Sequence, residues 1–378
     1  MLLIIPIITG CTGSSFDFIE KDETKIKLHP LQEDKAGKMS DLFSIEGYVP
    51  LETNERSVFG KITKLIVHDQ HYFIWDEITN SILCFDGEGK FEFDINNEGE
   101  GPGEYQFIND FSIDENKIFI HDSQLKKILI FDLKGNFITE SPIEILFNVF
   151  EALEDKYLFF TGFSLNEAYS NQNYHPNLIV TDQNFQNGKT YLFFDEVFNT
   201  GANIYPSRSL QKTPNGALVY QPYDDNLYQY SKNKFEVRYA LSFEQDPDIG
   251  KEKDNPSSDN DGDIMYFLES EKLLHLIYKY QDTYHFVYHF KESEITKEFS
   301  SEPSENRPAV AIENDIDGIS YYPLFTATND LIYSYASSYD IVTNYDGVTD
   351  LSKYNITDDS NPVIVKLKVK SQVLSSFD

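Results

Sequence analysis

Between residues 42 and 370 the chain is written in short runs where apolar and polar side chains alternate, separated by clusters of Asn, Asp and Gly, with almost no stretch of helical period. A period of two places successive side chains on opposite faces of an extended segment, so each run predicts a strand. The clearest unit has four runs, Ile62 to Val67, His71 to Asp76, Ser81 to Phe85 and Lys90 to Ile95. They are joined by His68-Asp69-Gln70, the Thr79-Asn80 neighbourhood and Asp86-Gly87-Glu88-Gly89. Turn-length joins between four runs predict an antiparallel four-stranded meander.

The unit recurs at a spacing of about 45 residues, the length of one propeller blade. The second copy, Asn109 to Ile138, matches the first at its third turn: Phe85-Asp86-Gly87-Glu88-Gly89-Lys90-Phe91 against Phe131-Asp132-Leu133-Lys134-Gly135-Asn136-Phe137. Asp favours turn initiation and Gly supplies the left-handed position of a tight hairpin, so the repeat has a mechanical reason. Looser copies follow at 148–194 with an insertion at 164–176, at 207–243, at 267–299, and from near Tyr322 with an acidic insertion at 337–361. The last copy lacks a fourth strand, whereas a spare run, Phe43 to Leu51, precedes the first. Pairing Ile45 to Leu51 with Val363 to Val369 would close a ring and remove its open edge. The expectation is all-β: a six-bladed β-propeller of four-stranded antiparallel blades at 42–370, the N-terminal strand completing the last blade, with a C-terminal tail at 371–378.

Composition agrees with strands, since 15% of the residues are aromatic, dominated by 30 Phe and 25 Tyr. The formal charge of −32 is spread along the chain without a basic stripe, which excludes phosphate-backbone binding and a nucleic-acid partner. It keeps the surface solvated and sets up a field that attracts cations.

Two cysteines cannot make a disulfide framework. Cys84 sits in the alternating run Ser81 to Phe85 and is expected in the core. Cys11 follows MLLIIPIITG, an apolar stretch too short to span a bilayer, and precedes a polar, acidic segment. Ile8-Thr9-Gly10-Cys11 resembles a bacterial lipobox, which implies a signal peptide at 1–11, lipidation of Cys11 and a flexible tether at 12–41. No Lys or Arg precedes the apolar run, so a start further upstream is a second reading. Each buried acyl CH₂ contributes about 0.8 kcal/mol, so several chains hold a soluble domain at a membrane.

Candidate chemistry is sparse. Gly99-Glu100-Gly101-Pro102-Gly103-Glu104-Tyr105 lacks the Lys-Ser/Thr of a phosphate loop and lies between strands. It reads as a turn, with Pro102 fixing φ and Gly103 at positive φ, or as a ligand-contacting loop through Gly101, Gly103, Glu104 and Tyr105. Residues 254–263 are rich in oxygen ligands, and Asp259, Asp261 and Asp263 are weak calcium candidates whose register is wrong for an EF-hand. No cofactor is required by the sequence. His285 and His289 fall on one strand face about 13 Å apart, too far for one zinc ion. No nucleophile elbow or HExxH spacing occurs.

Tyr48-Val49-Pro50-Leu51-Glu52-Thr53, Lys61-Ile62-Thr63-Lys64-Leu65, the glycine-rich heptapeptide and Asn361-Pro362-Val363 together resemble the six-bladed β-propeller lipoproteins of Bacteroidetes, relatives of NHL-repeat propellers. The resemblance covers roughly Leu42 to Lys370, and the blade count of six draws on it. It implies a monomer anchored in the bacterial envelope, at an outer membrane facing periplasm or exterior. It fixes architecture better than activity: a non-enzymatic binding or scaffold protein for a small molecule, glycan, peptide or protein partner. The alternative is a metal-dependent lyase- or lactonase-like enzyme at the central channel.

Overall fold

Because central runs such as Ser81–Phe85 bury side chains on both faces, the sheets have to be covered on both sides, and the chain meets that demand by stacking sheets around an axis. A computed structural model describes residues 20–30, 36–199, 209–244, 262–301, 311–319, 321, 324, 326–344 and 350–370. In it, six sheets form the blades of a β-propeller in chain order. Their inner strands are Lys64–His68, Asp110–Asp114, Val149–Leu153, Leu210–Thr213, Ile264–Glu269 and Thr326–Thr328. Those of blades one to four touch in succession, as do those of blades five, six and one.

Six apolar cores follow, one at each interface between blades. Phe73, Ile82, Cys84 and Ile95 of blade one pack on Phe111, Ile118, Ile120 and Leu129 of blade two. The alternate side chains of blade two, Phe119 and Ile128, pack on Phe150, Tyr157 and Phe159 of blade three. The remaining four interfaces repeat the scheme. Cys84 is fully buried in the first of them, where desolvation pushes its thiol pKa up and keeps it unreactive.

The ring closes as the sequence predicts. Phe43–Pro50 is the outer strand of blade six and pairs antiparallel with Val363–Val369, from Val363 opposite Pro50 to Val369 opposite Phe43. The repeated turn has one mechanism: the side chains of Asp86, Asp132 and Asp182 each accept backbone N–H groups two and four residues on. Gly89 and Gly135 take the left-handed position at φ 85° and 78°, and Phe185 takes it in the third copy at 58°.

One expectation is corrected. Residues 20–30 and 36–41 are not a flexible tether but a belt around the outside of three blades. Glu20–Leu28 adds a fifth, parallel strand to the outer edge of blade four. Ile26 and Leu28 are buried there beside Tyr239 and Leu241, while Lys25 and Lys27 face solvent, so a two-residue alternation drives the pairing. The backbone N–H of His29 then donates to Glu298 of blade five at 2.8 Å. Gly37 lies so close to the ring of Phe299 that a Cβ would meet it at 2.7 Å, and Ser40 bonds Asp315 before the chain enters blade six. The fifth strand also caps an edge that blade four would otherwise expose.

Candidate functional site

Each inner strand begins at one face of the ring, the face that also carries the outer-to-inner connections and the turns between second and third strands. At this face the axis opens into a cavity of about 700 Å³. Its walls are the first residues of the inner strands: Lys64 and Leu65 of blade one, Asp110 of blade two, Val149 and Glu151 of blade three, Gln211 and Lys212 of blade four. Tyr266, Leu324 and Thr326 supply an uncharged side opposite.

The charges on the walls are joined across blades. Lys64 Nζ donates to Asp110 Oδ1 at 2.8 Å and to the carbonyl of Phe111 at 2.7 Å, and stands 3.6 Å from Glu151 Oε1. Asp110 accepts in addition from the backbone N–H of Phe111 at 2.8 Å and of Phe150 at 2.9 Å. Glu151 accepts from the hydroxyl of Ser112 at 2.7 Å, and that hydroxyl accepts from Ala152 N–H at 3.1 Å. Lys212 donates to Asp114, to the carbonyl of Ile113 at 3.1 Å and to that of Ala152 at 3.0 Å. The Lys212 ammonium has thus three acceptors, and that of Lys64 has two with the Glu151 carboxylate as an ion-pair partner beyond hydrogen-bond distance. The four side chains stitch blades one to four together. Burial pushes the carboxyl pKa of Asp110 up; Lys64 opposes that rise and Glu151 adds to it.

With these charges spent on the protein, the groups left for a ligand are neutral. Trp75 lines the cavity, and its indole N–H is buried with no acceptor among the described residues. The carboxamide oxygen of Gln211 accepts from Glu269 N–H at 3.2 Å, leaving its NH₂ end as a donor. A mostly apolar cavity with compensated charges around it and a carboxamide NH₂ at its wall is the pattern of a site for an uncharged organic molecule.

The glycine-rich loop behaves as a turn. Gly101 O accepts from Glu104 N–H at 3.1 Å, and Gly103 has φ 77°, the type II geometry expected from Pro102-Gly103. The carboxylate of Glu104 is turned back onto Gly101 N–H at 2.8 Å, and Gly103 N–H is held by Glu140 at 3.1 Å. Tyr105 is fully buried, its hydroxyl donating toward the carbonyls of Asn80 and Ile95, both at 2.9 Å. The expectation that Tyr105 contacts a ligand is therefore corrected: two main-chain acceptors draw it into the interface between blades one and two.

Asp259 and Asp261, like Cys11, lie outside the described residues. Asp263 accepts from Tyr220 OH at 3.1 Å and Tyr223 N–H at 3.0 Å, a contact between blades four and five. His285 and His289 are buried along one strand, with Nδ1 atoms against Glu298 at 3.1 Å and the Thr296 hydroxyl at 3.0 Å. His275 stacks on Tyr288 with ring centroids 4.3 Å apart, and burial pushes its pKa down to about 4. Among the described residues no group of three or more His, Cys, Asp or Glu is placed to hold a metal ion, so the metal-dependent alternative has no ligand set there.

Sequence reasoning did not single out Lys64, Trp75, Asp110, Glu151, Gln211 and Lys212. The signal of all but Trp75, which lies on the second strand of blade one, is a charged or amide residue near the start of a run predicted to be an inner strand, which becomes informative once the blades are numbered.

A family described as a domain of unknown function, DUF4934, matches residues 23–368. Among solved structures, an exported protein of Bacteroides fragilis is similar with a TM-score of 0.73 at 17% identity, over 92% of this chain and 100% of that one. A member of the DUF4221 family from Bacteroides vulgatus follows with a TM-score of 0.49 at 10% identity, over 87% of this chain and 98% of that one. No curated protein matches the chain in sequence.

Proposed function

The chain belongs to the DUF4934 family, and from that premise we propose that it is an exported, envelope-held binding propeller whose channel mouth takes an uncharged, hydroxyl-bearing molecule the size of a mono- or disaccharide. One observation carries this reading: a cavity of about 700 Å³ in which Lys64 and Lys212 are engaged by the protein while the indole N–H of Trp75 at its wall is buried with no acceptor among the described residues. That volume lies within the range of small-molecule sites, roughly 300–1,000 Å³. A ligand anion would face Asp110 and Glu151, and a ligand cation would have to displace Lys64, so neutral hydroxyl groups fit best.

Export is supported by the exported protein of Bacteroides fragilis that shares the fold, and acylation of Cys11 by the lipobox-like sequence. No helix among the described residues is long and apolar enough to cross a membrane. The parallel strand Glu20–Leu28 starts opposite Glu236, near the turn that opens the outer strand of blade four, on the face away from the mouth. The residues between Cys11 and Glu20 reach about 30 Å when extended. An anchor at Cys11 would therefore leave the mouth turned away from the membrane.

Calorimetric titration with a panel of neutral mono- and disaccharides tests the reading, using the parent and Trp75→Phe, which keeps an aromatic ring and removes the N–H. Saturable binding by at least one sugar, weakened about tenfold in the variant for the loss of one hydrogen bond, is expected. Absence of saturable binding across the panel, or equal affinity for parent and variant, contradicts it.

A further inference from the structure

A second cavity, of about 200 Å³, opens on the mouth face further from the axis, between blades two and three. It lies between the turn carrying Lys126 and the connection that holds Ile143, Ile145, Leu146 and Phe147. Its one buried polar side chain is His121, only 3% exposed, whose Nδ1 has no hydrogen-bond partner among the described residues. The other buried histidines, His175, His275, His285 and His289, each engage Nδ1 with the protein. His121 lies at the end of Lys117–Asp122, and its ring stacks on Phe147 with centroids 4.0 Å apart and planes at 27°.

The walls are fixed in place. Phe147 packs against Phe159 at 4.7 Å, and Ile143 N–H donates to the carbonyl of Lys126 at 2.8 Å. Asn166 clamps Leu146 at both main-chain groups, at 2.8 Å and 3.0 Å. The cavity is therefore preformed. Burial pushes the pKa of His121 down to about 4, so the ring is neutral near pH 7.

We propose that this cavity is a binding site, separate from the channel, for a neutral single-ring molecule bearing one hydroxyl group, that is, a phenol. Three features select that class. An engineered cavity of about 150 Å³ holds benzene, so about 200 Å³ holds one ring with a substituent. Flat apolar walls of Phe147, Ile143 and Ile145 match an aromatic body. A hydroxyl both donates and accepts, so it satisfies an imidazole nitrogen in either tautomer of the neutral ring, which a carboxylate or an ammonium does not.

The test is calorimetric titration of the full chain with p-cresol and with toluene, which has the same ring and lacks the hydroxyl. Saturable p-cresol binding, with toluene at least about tenfold weaker, is expected from a site that rejects an analogue leaving its polar group unpaired. His121→Phe should abolish that difference. Leu146→Trp, at a half-exposed rim position, should block p-cresol and serves where the first variant does not fold. N-acetyl-tyrosinamide as a third ligand separates the two sources of this chemistry: binding like p-cresol assigns a tyrosyl group, and no binding assigns a free phenol. Lack of saturable p-cresol binding to the parent, equal affinity for toluene, or undiminished binding in Leu146→Trp overturns the proposal and leaves the cavity to water.

Discussion

Lys64→Met probes the cross-blade network where it is most exposed to failure. The side chains of Asp110 and Glu151 are 3% and 7% exposed, and Lys64 is the cation that touches both. Removing its ammonium leaves two buried carboxylates facing each other with only neutral donors. Breaking a buried pair by removing one partner costs about 3–5 kcal/mol, and the low end applies because Lys64 is 20% exposed and water can enter. Adding Asp110→Asn to the variant removes one charge and keeps an acceptor oxygen for one of the two N–H groups of Phe111 and Phe150, which bond different carboxylate oxygens, so part of the loss should return. The effect also depends on pH. Burial already raises the Asp110 pKa in the folded protein, and loss of Lys64 removes the influence that opposes the rise. With the folded value above the unfolded one, the folded state binds more protons between the two, and stability falls as pH rises through that window. The penalty of Lys64→Met should therefore be full near pH 7 and smaller near about pH 4.5. Urea unfolding of parent, single and double variants at both pH values is the assay. An equal penalty at both pH values, or a double variant no more stable than the single one, would refute the reasoning.

Deletion of residues 1–30 should lower stability by stripping the fifth strand and baring the face where Ile26 and Leu28 lie beside Tyr239, whereas deletion of 1–19 should leave the melting temperature unchanged; equal melting of both forms would contradict the belt. Gly103→Val should cost about 1–3 kcal/mol in urea unfolding, because φ 77° is strained for a β-branched residue and its Cβ would meet Phe137 Cγ at 2.8 Å; an unchanged midpoint would remove that account. Cys11→Ser should leave a folded chain that no longer partitions with membranes, and its persistence in the membrane fraction would dispose of the lipid anchor.

The ring was legible in the sequence because closure depends on strands, and strands announce themselves by alternation. Phe43–Pro50 could be matched to Val363–Val369 by counting which blade lacked a member. The third Asp turn was harder to see, since Phe185 occupies the left-handed position that Gly89 and Gly135 hold in the first two. Residues 20–28 were misjudged because Lys, Asp and Glu dominate their composition, although Ile26 and Leu28 supply the buried apolar side chains that accompany the pairing. The channel was invisible for a different reason. Lys64, Asp110, Glu151 and Lys212 belong to four blades, and only the stacking of those blades brings them together. Nothing local marks them apart from a charge at the head of an apolar strand. In the glycine-rich loop the backbone could be read from Pro102-Gly103, but the inward course of Tyr105 depends on carbonyls of blade one.

The central claim is that ligand enters the mouth of the channel, and the chain carries its own reporter there, because Trp75 is its single tryptophan and lines the cavity. The direct measurement is the emission of Trp75 during titration with a sugar that binds by calorimetry. The account predicts a saturable shift or quench of that emission with the calorimetric midpoint, as the ligand supplies the acceptor the indole lacks. Binding by calorimetry with unaltered Trp75 emission would place the ligand elsewhere on the propeller and contradict the account.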